Sequence, residues 1–366
     1  MTPAPAGDRR PSRLAARLGV AAGAASAACG ATLWLTGQFL PFAPPVHTWV
    51  LAAAATLAIA SLVQQLLGRW SWSGGPLAAL GLVLAIAFFG VLAGPVRISA
   101  RAVDPAEQAT APRKPQRLRV VSYNVLHGYP RFTNQEARFS GLAQALEQLS
   151  PDVALFQEAW CTQRHGCLIN RLATGQGPFV GYHLAYAPVN GSLRLIGFEE
   201  GLAVASRWPI ERVTVDVLRP RERPWRRRAV LQVTLRLDGE TWTFATAHLA
   251  DRDAGARRAQ ASSLATRLPA AGTLVLGADL NDPRGSPTVS ALDARGLEPL
   301  LGGARDHLLV RELPVGWAVT EARWLLAPDE TGSPAGLGPI SDHPAAWLEL
   351  ARGETRETEG RRGPGA

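Results

Sequence analysis

The chain has 366 residues and three cysteines, and its 38 lysines and arginines against 30 acidic residues give a formal net charge of +8 at pH 7. Three cysteines exclude a scaffold built from several disulfides, and the length allows one large globular domain together with an additional segment. The positive charge favours anionic partners, such as lipid headgroups or nucleic acid, without indicating a fold.

Three apolar segments of bilayer-spanning length lie near the N-terminus, at residues 16–37, 48–68 and 75–96. A transmembrane helix needs about 20 consecutive apolar residues. We therefore predict an all-α bundle of three transmembrane helices after a disordered cytoplasmic N-terminus at residues 1–15, with the lipid bilayer as a partner. The alternative for the first segment is a cleaved signal peptide, because arginines precede it and small residues surround Cys29.

The distribution of arginine predicts how these spans are oriented. Four arginines lie between residues 9 and 17, and the loop after the first span carries no charge. The positive-inside rule then places the N-terminus in the cytoplasm and, after three crossings, the rest of the chain outside it. Four basic residues between 97 and 114 favour the opposite orientation. We expect a multi-pass protein of the cell membrane whose remaining domain is extracytoplasmic.

The polar, proline-containing residues 97–116 predict a linker between the membrane and a globular domain at residues 117–352. The last residues, 353–366, lack apolar periodicity, which predicts a disordered tail. Within the domain, short apolar runs bounded by turn signals predict strands at 118–126, 152–158, 201–207, 227–237, 241–249 and 273–278. Helical periodicity occurs at 136–149, 253–268 and 286–295.

The pair 227–237 and 241–249 predicts a hairpin, so we expect antiparallel sheets flanked by helices.

Polar side chains follow most of the apolar runs, where an enzyme on such a scaffold collects its functional groups. Each one alone has an ordinary explanation as a turn residue, a cap or a buried histidine. The set comprises Asn124, Glu158, His248, Asp279, Asn281, Asp306, Asp342 and His343.

The residue types in this set indicate a chemistry. Carboxylate and amide oxygens without a thiolate cluster are the ligands of a hard cation such as Mg²⁺ or Mn²⁺. Two histidines beside such an ion suit proton transfer and hydrogen bonding to a phosphoryl oxygen. Together they predict metal-assisted hydrolysis of a phosphate ester.

Two further segments are unusual. Residues 219–228, RPRERPWRRR, concentrate arginine around Trp225 between two strands. They could contact a nucleic-acid backbone, anionic lipid headgroups or only solvent, with Arg228 buried near the site. Cys161 and Cys167 could form a disulfide if the domain is outside the cytoplasm, whereas a zinc site through His165 lacks a fourth ligand.

Seven segments, in this order, resemble the motifs of the endonuclease/exonuclease/phosphatase superfamily, which has the deoxyribonuclease-I-like fold. They extend across residues 117–350 and read VVSYNVL, ALFQEAW, EEGLAVASRWPI, ATAHLADRD, GADLNDP, RDHLLV and SDHPAAWLEL. The resemblance implies an α/β (α+β) domain, a four-layer α/β/β/α sandwich of two mostly antiparallel sheets with its site at one edge. Together with the predicted spans, it implies a membrane-anchored, metal-dependent phosphohydrolase.

The resemblance also implies a role for each matching residue. Glu158, Asn124 and Asp342 would form the metal site for Mg²⁺ or Mn²⁺. Asp279 would orient or deprotonate the attacking water, with Asn281 beside it to hold a phosphate oxygen. If the segment is extended, these two side chains point the same way and Leu280 points to the core.

The resemblance also implies that each of the two histidines is oriented by an acidic residue. His343 would be the catalytic histidine, oriented by Asp306. His248 would contact the phosphate from the other side, with Glu200 as its orienting partner and Glu199 as the competitor for that role. Each acid would fix the tautomer of its histidine and support the cationic form.

The resemblance leaves the substrate open, because the superfamily includes nucleases, sphingomyelinases, inositol-polyphosphate phosphatases and deadenylases. A domain held at a bilayer favours a phospholipid headgroup or a small organophosphate as the phosphate-ester substrate. The alternatives are an extracytoplasmic nuclease acting on DNA or RNA and, more remotely, a non-catalytic module that binds phosphorylated ligands. The oligomeric state is not predicted.

Overall fold

A computed structural model describes residues 96–101, 115–128, 134–193, 197–223, 226–326 and 340–353. The predicted spans up to residue 95, and the predicted tail from residue 354, lie outside these ranges. No helix within the described ranges is long and apolar enough to cross a membrane.

The described chain forms strands and helices that alternate along the sequence. The helices are α1 (Gln135–Leu149), α2 (Leu168–Leu172), α3 (Ala254–Arg267) and α4 (Pro287–Asp293). The strands are β1 (Ser99–Arg101), β2 (Arg117–Asn124), β3 (Val153–Thr162), β4 (Gly166–Cys167), β5 (His183–Ser192), β6 (Phe198–Ser206), β7 (Ile210–Arg223), β8 (Arg226–Leu237), β9 (Glu240–His248), β10 (Thr273–Asp279), β11 (Glu298–Gly302), β12 (Asp306–Arg311), β13 (Trp317–Leu325) and β14 (Ala345–Arg352).

The strands form two sheets. Sheet one has the order β1-β5-β6-β3-β2-β14-β13, with β4 paired to β3, and sheet two has the order β11-β12-β10-β9-β8-β7. Two neighbouring pairs are parallel, β2 with β3 and β9 with β10. Parallel neighbours need a crossover, which α1 and α3 provide. Each parallel pair therefore ends at one end of its sheet.

Apolar side chains fill the three spaces between four layers. One core, which includes Leu155 and Val275, lies between the sheets. A second core packs Leu142 of α1 against the outer face of sheet one, and a third packs Leu264 of α3 against sheet two. The layer order is therefore α/β/β/α, which confirms the predicted sandwich.

The predicted strands and helices of the domain are all present within a few residues of their expected bounds, and β8 and β9 form the predicted hairpin. Strand β7 was not predicted because it carries no continuous apolar run, although Val213, Val215 and Val217 alternate with polar residues in the pattern of a half-buried strand. Segment 219–228 belongs largely to β7 and β8 rather than to a loop. The first residues of the predicted linker form β1, which pairs with β5.

A buried polar contact joins the two sheets. The Gln157 side chain of β3 lies with its Nε2 within 3.2 Å of Ser122 Oγ, 2.9 Å of Thr246 Oγ1 and 3.1 Å of the Gly277 carbonyl oxygen. These residues belong to β2, β9 and β10. We call this contact the Gln157 node. It fixes four strands from both sheets relative to one another.

Gly277 allows the sheets to approach this closely. A Cβ atom at this position would collide with Ser122 Oγ and Cβ and would lie 3.1 Å from Leu155 Cδ1. The absence of a side chain is therefore what lets β10 pack against β2 at the node.

We expect Gly277→Ala to lower the free energy of unfolding by about 1–3 kcal/mol, because overpacking a buried position forces strands apart. The measurement is chemical unfolding followed by tryptophan fluorescence. Gly353→Ala is the matched control, since its Cβ would meet only the Gly316 carbonyl oxygen at 3.7 Å. Equal unfolding midpoints for the two variants would contradict this account of the sheet contact.

Candidate active site

The strand registers bring the predicted site residues together at one end of the sandwich. Asn124 ends β2, and Asp279 ends β10, where it pairs with His248 of β9 and with Asp306 of β12. His343 lies just before β14, which runs antiparallel to β2. We call this the site end. The topology explains why residues far apart in sequence meet there.

Asn124 lies at the centre of the cluster and is fully buried. Its Nδ2 donates to Asp279 Oδ2 at 2.9 Å and lies 3.4 Å from both Glu158 Oε1 and His343 Nε2. Its Oδ1 accepts from the backbone N–H of Leu126 at 3.0 Å, which establishes the orientation of the amide. Asn124 therefore presents a donor to the site, an arrangement suited to an anion rather than to the predicted metal ligation.

Glu158 reaches the site through an irregularity in β3. The register between β3 and β6 shifts between Phe156 and Ala159, and Glu158 has φ 56°, a conformation that costs a non-glycine residue on the order of 1–3 kcal/mol. Burial raises the pKa of its carboxyl, but the charge and backbone N–H of His127 outweigh burial, so the pKa is lowered. Glu158 therefore stays ionised.

Asp306 and His343 form a close pair next to Asp279. His343 Nδ1 lies 2.8 Å from Asp306 Oδ2, and His343 Nε2 faces Asp279 Oδ2 at 3.8 Å. Burial lowers the pKa of His343, but the hydrogen bond and charge of Asp306 outweigh it, so the pKa is raised. This geometry agrees with the predicted orientation of His343 by Asp306.

Asp279 is the most perturbed acid in the cluster. Burial, followed by the charge of Asp306, raises the pKa of Asp279 to about 7, although His343 and Asn124 oppose the rise. A carboxyl that titrates near neutral pH can both accept and release a proton under ordinary conditions. Its Oδ1 accepts from the backbone N–H of Asn281 at 3.0 Å.

His248 differs from His343 in its electrostatic surroundings. Its Nε2 lies 3.3 Å from Asp279 Oδ2 and 3.2 Å from Asn281 Nδ2. Burial, followed by the charge of Arg228, lowers the pKa of His248 well below its usual value. The lowered pKa favours the neutral form of His248, in contrast to the cationic form that an orienting acid would support.

The predicted partner of His248, Glu200, is not brought to it. Glu200 Oε1 accepts a hydrogen bond from Asn190 Nδ2, and the acids within 4.0 Å of the His248 ring are Glu158 and Asp279. Its competitor Glu199 accepts from the backbone N–H of Leu193 instead. The assignment of an orienting partner is therefore corrected for His248.

The segment after β10 also differs from its expected form. Strand β10 ends at Asp279, and Asn281 has φ 52°, so the chain is not extended through Asn281. Leu280 is fully buried, as predicted. The turn still delivers Asn281 Nδ2 to His248 and to the Leu249 carbonyl oxygen at 3.2 Å.

Asp342 lies at the outer edge of the cluster. Its side chain is 53% exposed, its Oδ1 lies 3.7 Å from His343 Nε2, and its Oδ2 lies 3.7 Å from Arg305 Nη1. Among the described residues, the group whose donor atoms lie within 4.8 Å of one another is Asp279, Asp306 and His343. This group differs from the predicted ligands Asn124, Glu158 and Asp342, although both sets offer hard oxygen donors.

Sequence reasoning missed three contributors to the site. Gln157 holds the strands together, and His127 contacts Glu158 with an Nε2–Oε2 distance of 3.5 Å. Arg138 of α1 donates to the carbonyl oxygens of Val125, Leu126 and Ile340. Two of these residues could have been found from their positions in the sequence, since Gln157 directly precedes Glu158 and His127 lies three residues after Asn124.

Two features flank the cluster. Cys161 and Cys167 form a disulfide between β3 and β4, three residues beyond Glu158. Arg228 is 2% exposed, and its charge lowers the pKa of both Glu158 and His248. The possibility that Arg228 is buried near the site is therefore confirmed.

Comparison with known proteins gives a consistent result. The chain matches the sequence model of the Endonuclease/Exonuclease/phosphatase family over residues 121–343, more than half of its length. It is similar to an endonuclease/exonuclease/phosphatase family protein from Leptotrichia buccalis C-1013-b, with TM-score 0.51 and 14% identity, over 64% of this chain and 99% of that chain. It is also similar to the human Nocturnin catalytic domain with bound sulfate anion, with TM-score 0.50 and 18% identity, over 67% of this chain and 100% of that chain. No curated protein matches the chain.

We expect Asp306→Asn to lower the pKa of His343 by about 1 or more, because an adjacent opposite charge shifts a pKa by roughly 1–3 and burial is then opposed only by the weaker effects of Asp279 and Asp342. The measurement is NMR titration of labelled histidine. Asp342→Asn is the matched control and should cause a smaller fall, since Asp342 is exposed and lies 3.7 Å from His343 Nε2. An unchanged His343 pKa in Asp306→Asn would refute the pairing.

Proposed function

The chain belongs to the endonuclease/exonuclease/phosphatase family, whose members hydrolyse phosphate esters, and from this premise we propose that it is a divalent-metal-dependent phosphodiesterase or phosphatase anchored in the cell membrane. The observation that carries the proposal is the position of Asp279, buried between Asn124, His248 and the Asp306–His343 pair. This is an arrangement of one base, one cationic histidine and amide donors around a single point.

The protein groups divide the work of hydrolysis. Asp279 accepts a proton from water as the water oxygen attacks phosphorus, and the leaving oxygen departs with the electron pair of the broken P–O bond and takes a proton from solvent. His343 carries a proton on Nε2 that hydrogen-bonds a phosphoryl oxygen as charge builds, and Asp306 holds the opposite ring nitrogen. Asn124 and Asn281 add neutral amide donors. His248, being neutral, acts as a hydrogen-bonding group rather than as a second cation.

A divalent cation fits the donor set. The carboxylates of Glu158, Asp279, Asp306 and Asp342 are hard oxygen ligands of the kind that Mg²⁺ or Mn²⁺ prefers. Glu158 is the principal candidate ligand, because it stays ionised and is not engaged in the Asp306–His343 pair. When bound, such an ion polarises the phosphoryl oxygen and neutralises developing charge. Asn124 is a hydrogen-bond donor in this proposal.

Two observations support an extracytoplasmic domain. The Cys161–Cys167 disulfide is of a kind that persists in oxidising compartments. The arginines before the first predicted span favour a cytoplasmic N-terminus. We propose a phospholipid headgroup or small organophosphate as substrate, since a domain next to the bilayer meets both.

The second candidate function is an extracytoplasmic nuclease, which the arginine-rich segment 219–228 favours. A non-catalytic module that binds phosphorylated ligands is the remaining alternative. It is disfavoured because Asp279, Asp306 and His343 are assembled as a reacting group rather than dispersed. The identity of the substrate therefore distinguishes a phosphodiesterase or phosphatase acting on headgroups or small organophosphates from a nuclease.

A substrate panel tests the proposal. The full chain, with Mg²⁺, is incubated with phospholipid vesicles, a p-nitrophenyl phosphodiester, DNA and RNA. The full chain is needed because β1 covers the edge of β5, and a fragment that starts at residue 117 lacks it. Release of a lipid headgroup or of nitrophenol is expected. Cleavage of nucleic acid alone would support the nuclease instead.

We expect Asp279→Ala and His343→Ala each to lower kcat by on the order of 10²–10⁴-fold, because general acid–base groups contribute that much. EDTA should abolish hydrolysis, and added Mg²⁺ should restore it. Glu321→Ala is the control, since the Glu321 side chain is 42% exposed and pairs with Arg323 on β13. Wild-type turnover in either site variant would overturn the proposed roles.

A further inference from the structure

The chain enters the domain from the site end. Strand β1 pairs antiparallel with β5, with Ser99 opposite Tyr186 and Arg101 opposite Leu184. Strand β5 runs toward the site end, because Asn190 lies opposite Glu200 and Glu200 lies opposite Trp160, two residues beyond Glu158. Strand β1 therefore runs away from the site end, and residues 96–98 lie on the site-end side of it.

The residues before β1 are held at this corner. Val96 packs against the core between the sheets. Burial raises the pKa of Glu199, and the charge of Arg97 opposes that rise, which places Arg97 near Glu199. Glu199 lies opposite Cys161, three residues beyond Glu158. The entry point of the chain is thus next to the rim of the active site.

This position shortens the connection to the bilayer. The third predicted span ends at residue 96, so only residues 97 and 98 precede β1. A chain extends at most about 3.3–3.6 Å per residue, so the gap of three residue steps is about 10 Å. A linker of residues 97–116 would leave the domain free to turn, whereas a connection of this length from the predicted span would hold the site end close to the bilayer.

The β7–β8 hairpin lies at the same corner. Strand β5 packs over β7 and β8. Asn190 of β5 joins the backbone of Arg227, with Nδ2 donating to the carbonyl oxygen at 3.1 Å and Oδ1 accepting from the N–H at 2.8 Å. The tip of this hairpin is at the site end, because Ala229 pairs with His248. The tip and the chain entry are therefore neighbours.

The hairpin tip and the adjacent loop form a cationic surface, the basic rim, which consists of Arg219, Arg221, Arg223 and Arg252. Arg219 and Arg223 are exposed, and the Arg252 side chain is 72% exposed. Two acids lie beside these four arginines: Glu222, which accepts from the backbone N–H of Arg252 at 3.0 Å, and Asp251, whose Oδ2 lies 3.7 Å from Arg252 Nε. The charge of the surface is therefore net positive.

The backbone of the basic rim is held in place by one buried side chain and by an ion pair beside the rim. Gln260 of α3, which is fully buried, donates through Nε2 to the Pro220 carbonyl oxygen at 2.7 Å. Arg226 Nη1 lies 3.0 Å from Asp251 Oδ1. A preformed cationic surface loses little entropy on binding an anionic one.

We propose that the basic rim binds anionic phospholipid headgroups, so that the site end faces the bilayer surface and the active site receives phosphate esters from that surface. We assign anionic phospholipid headgroups as the binding partner because the predicted span ends beside the rim and because their charge is opposite to that of the rim. Attraction between the rim and an anionic leaflet acts within a Debye length of about 8–10 Å, which matches the length of the connection. The inference rests on the proposed membrane anchor and substrate class.

Fluorescence quenching in nanodiscs tests the orientation. The full chain with Cys29→Ser is labelled at Ala254→Cys, an exposed site-end position, or at Val315→Cys, which is 97% exposed at the opposite end. The disc contains phosphatidylglycerol and a headgroup-linked quencher. Quenching should be at least about twofold stronger at position 254 than at 315, because attraction over about a Debye length holds the site end near the headgroups and the quencher acts only on a label close to it. Equal or reversed quenching, or failure of the chain to remain with the disc, would overturn the proposal.

Charge reversal tests the role of the rim. Arg219→Glu, Arg221→Glu and Arg223→Glu together should bring the quenching ratio toward one. The matched control carries Arg212→Glu, Arg236→Glu and Arg323→Glu, which change the charge equally away from the rim, and should retain the ratio. A rim variant that loses DNA binding but keeps the ratio would overturn the lipid assignment in favour of nucleic acid.

Hydrolysis of a soluble p-nitrophenyl phosphodiester by the same discs separates this inference from the proposed function. Rim reversal should leave that turnover within about twofold of wild type while it lowers turnover of headgroup substrate, because the substrate is then presented less closely. A retained quenching ratio without soluble diester hydrolysis would refute the catalytic function alone. Normal hydrolysis without a quenching difference would refute the orientation alone.

Discussion

The side-chain amide of Gln157 sets the spacing on which the site depends. It lies between the sheets, and its three acceptors come from β2, β9 and β10. Two residues further along these strands lie Asn124, His248 and Asp279, and Glu158 directly follows Gln157. A net hydrogen bond contributes only about 0.5–1.5 kcal/mol, but an unsatisfied buried partner costs about 1–3 kcal/mol, so the node excludes other registers. The node therefore aligns the two halves of the site.

Electrostatic differences then give chemically similar residues different roles. His343 has an acid on one ring nitrogen and a raised pKa, whereas His248 is buried beside Arg228 and has a lowered pKa. Asp279 titrates near neutral pH because it is buried next to Asp306. The backbone strain at Glu158 is offset by the packing of β3 between β2 and β6. The proposed hydrolysis uses this difference, with His343 as a proton-carrying donor and His248 as a neutral hydrogen-bonding group.

Local signals predicted the strands, the helices and the polar residues at the strand ends, whereas the four-layer sandwich was implied by the resemblance to the family. Apolar runs such as residues 273–278 are buried strands, and a polar residue at the end of each run meets the others once parallel strands end together. Glu200 was expected to orient His248, but its side chain accepts a hydrogen bond from Asn190. This hydrogen bond depends on the packing of β5 against β8, which the local sequence does not indicate. Strand β1 escaped prediction because three residues at a sheet edge carry no periodicity. The orientation of the Asn124 amide depends on a hydrogen bond from the backbone N–H of Leu126, so it could not be predicted from the sequence either.

The central claim is that the Gln157 node positions a phosphoesterase site, and the most direct measurement is kcat of Gln157→Leu for phosphodiester hydrolysis in Mg²⁺. Leucine has similar volume but leaves Ser122, Thr246 and the Gly277 carbonyl oxygen without their partner. We expect kcat to fall by on the order of 10²-fold in protein that still unfolds cooperatively, because displacement by about 1 Å has that effect. A folded Gln157→Leu protein with kcat within about twofold of wild type would contradict the account.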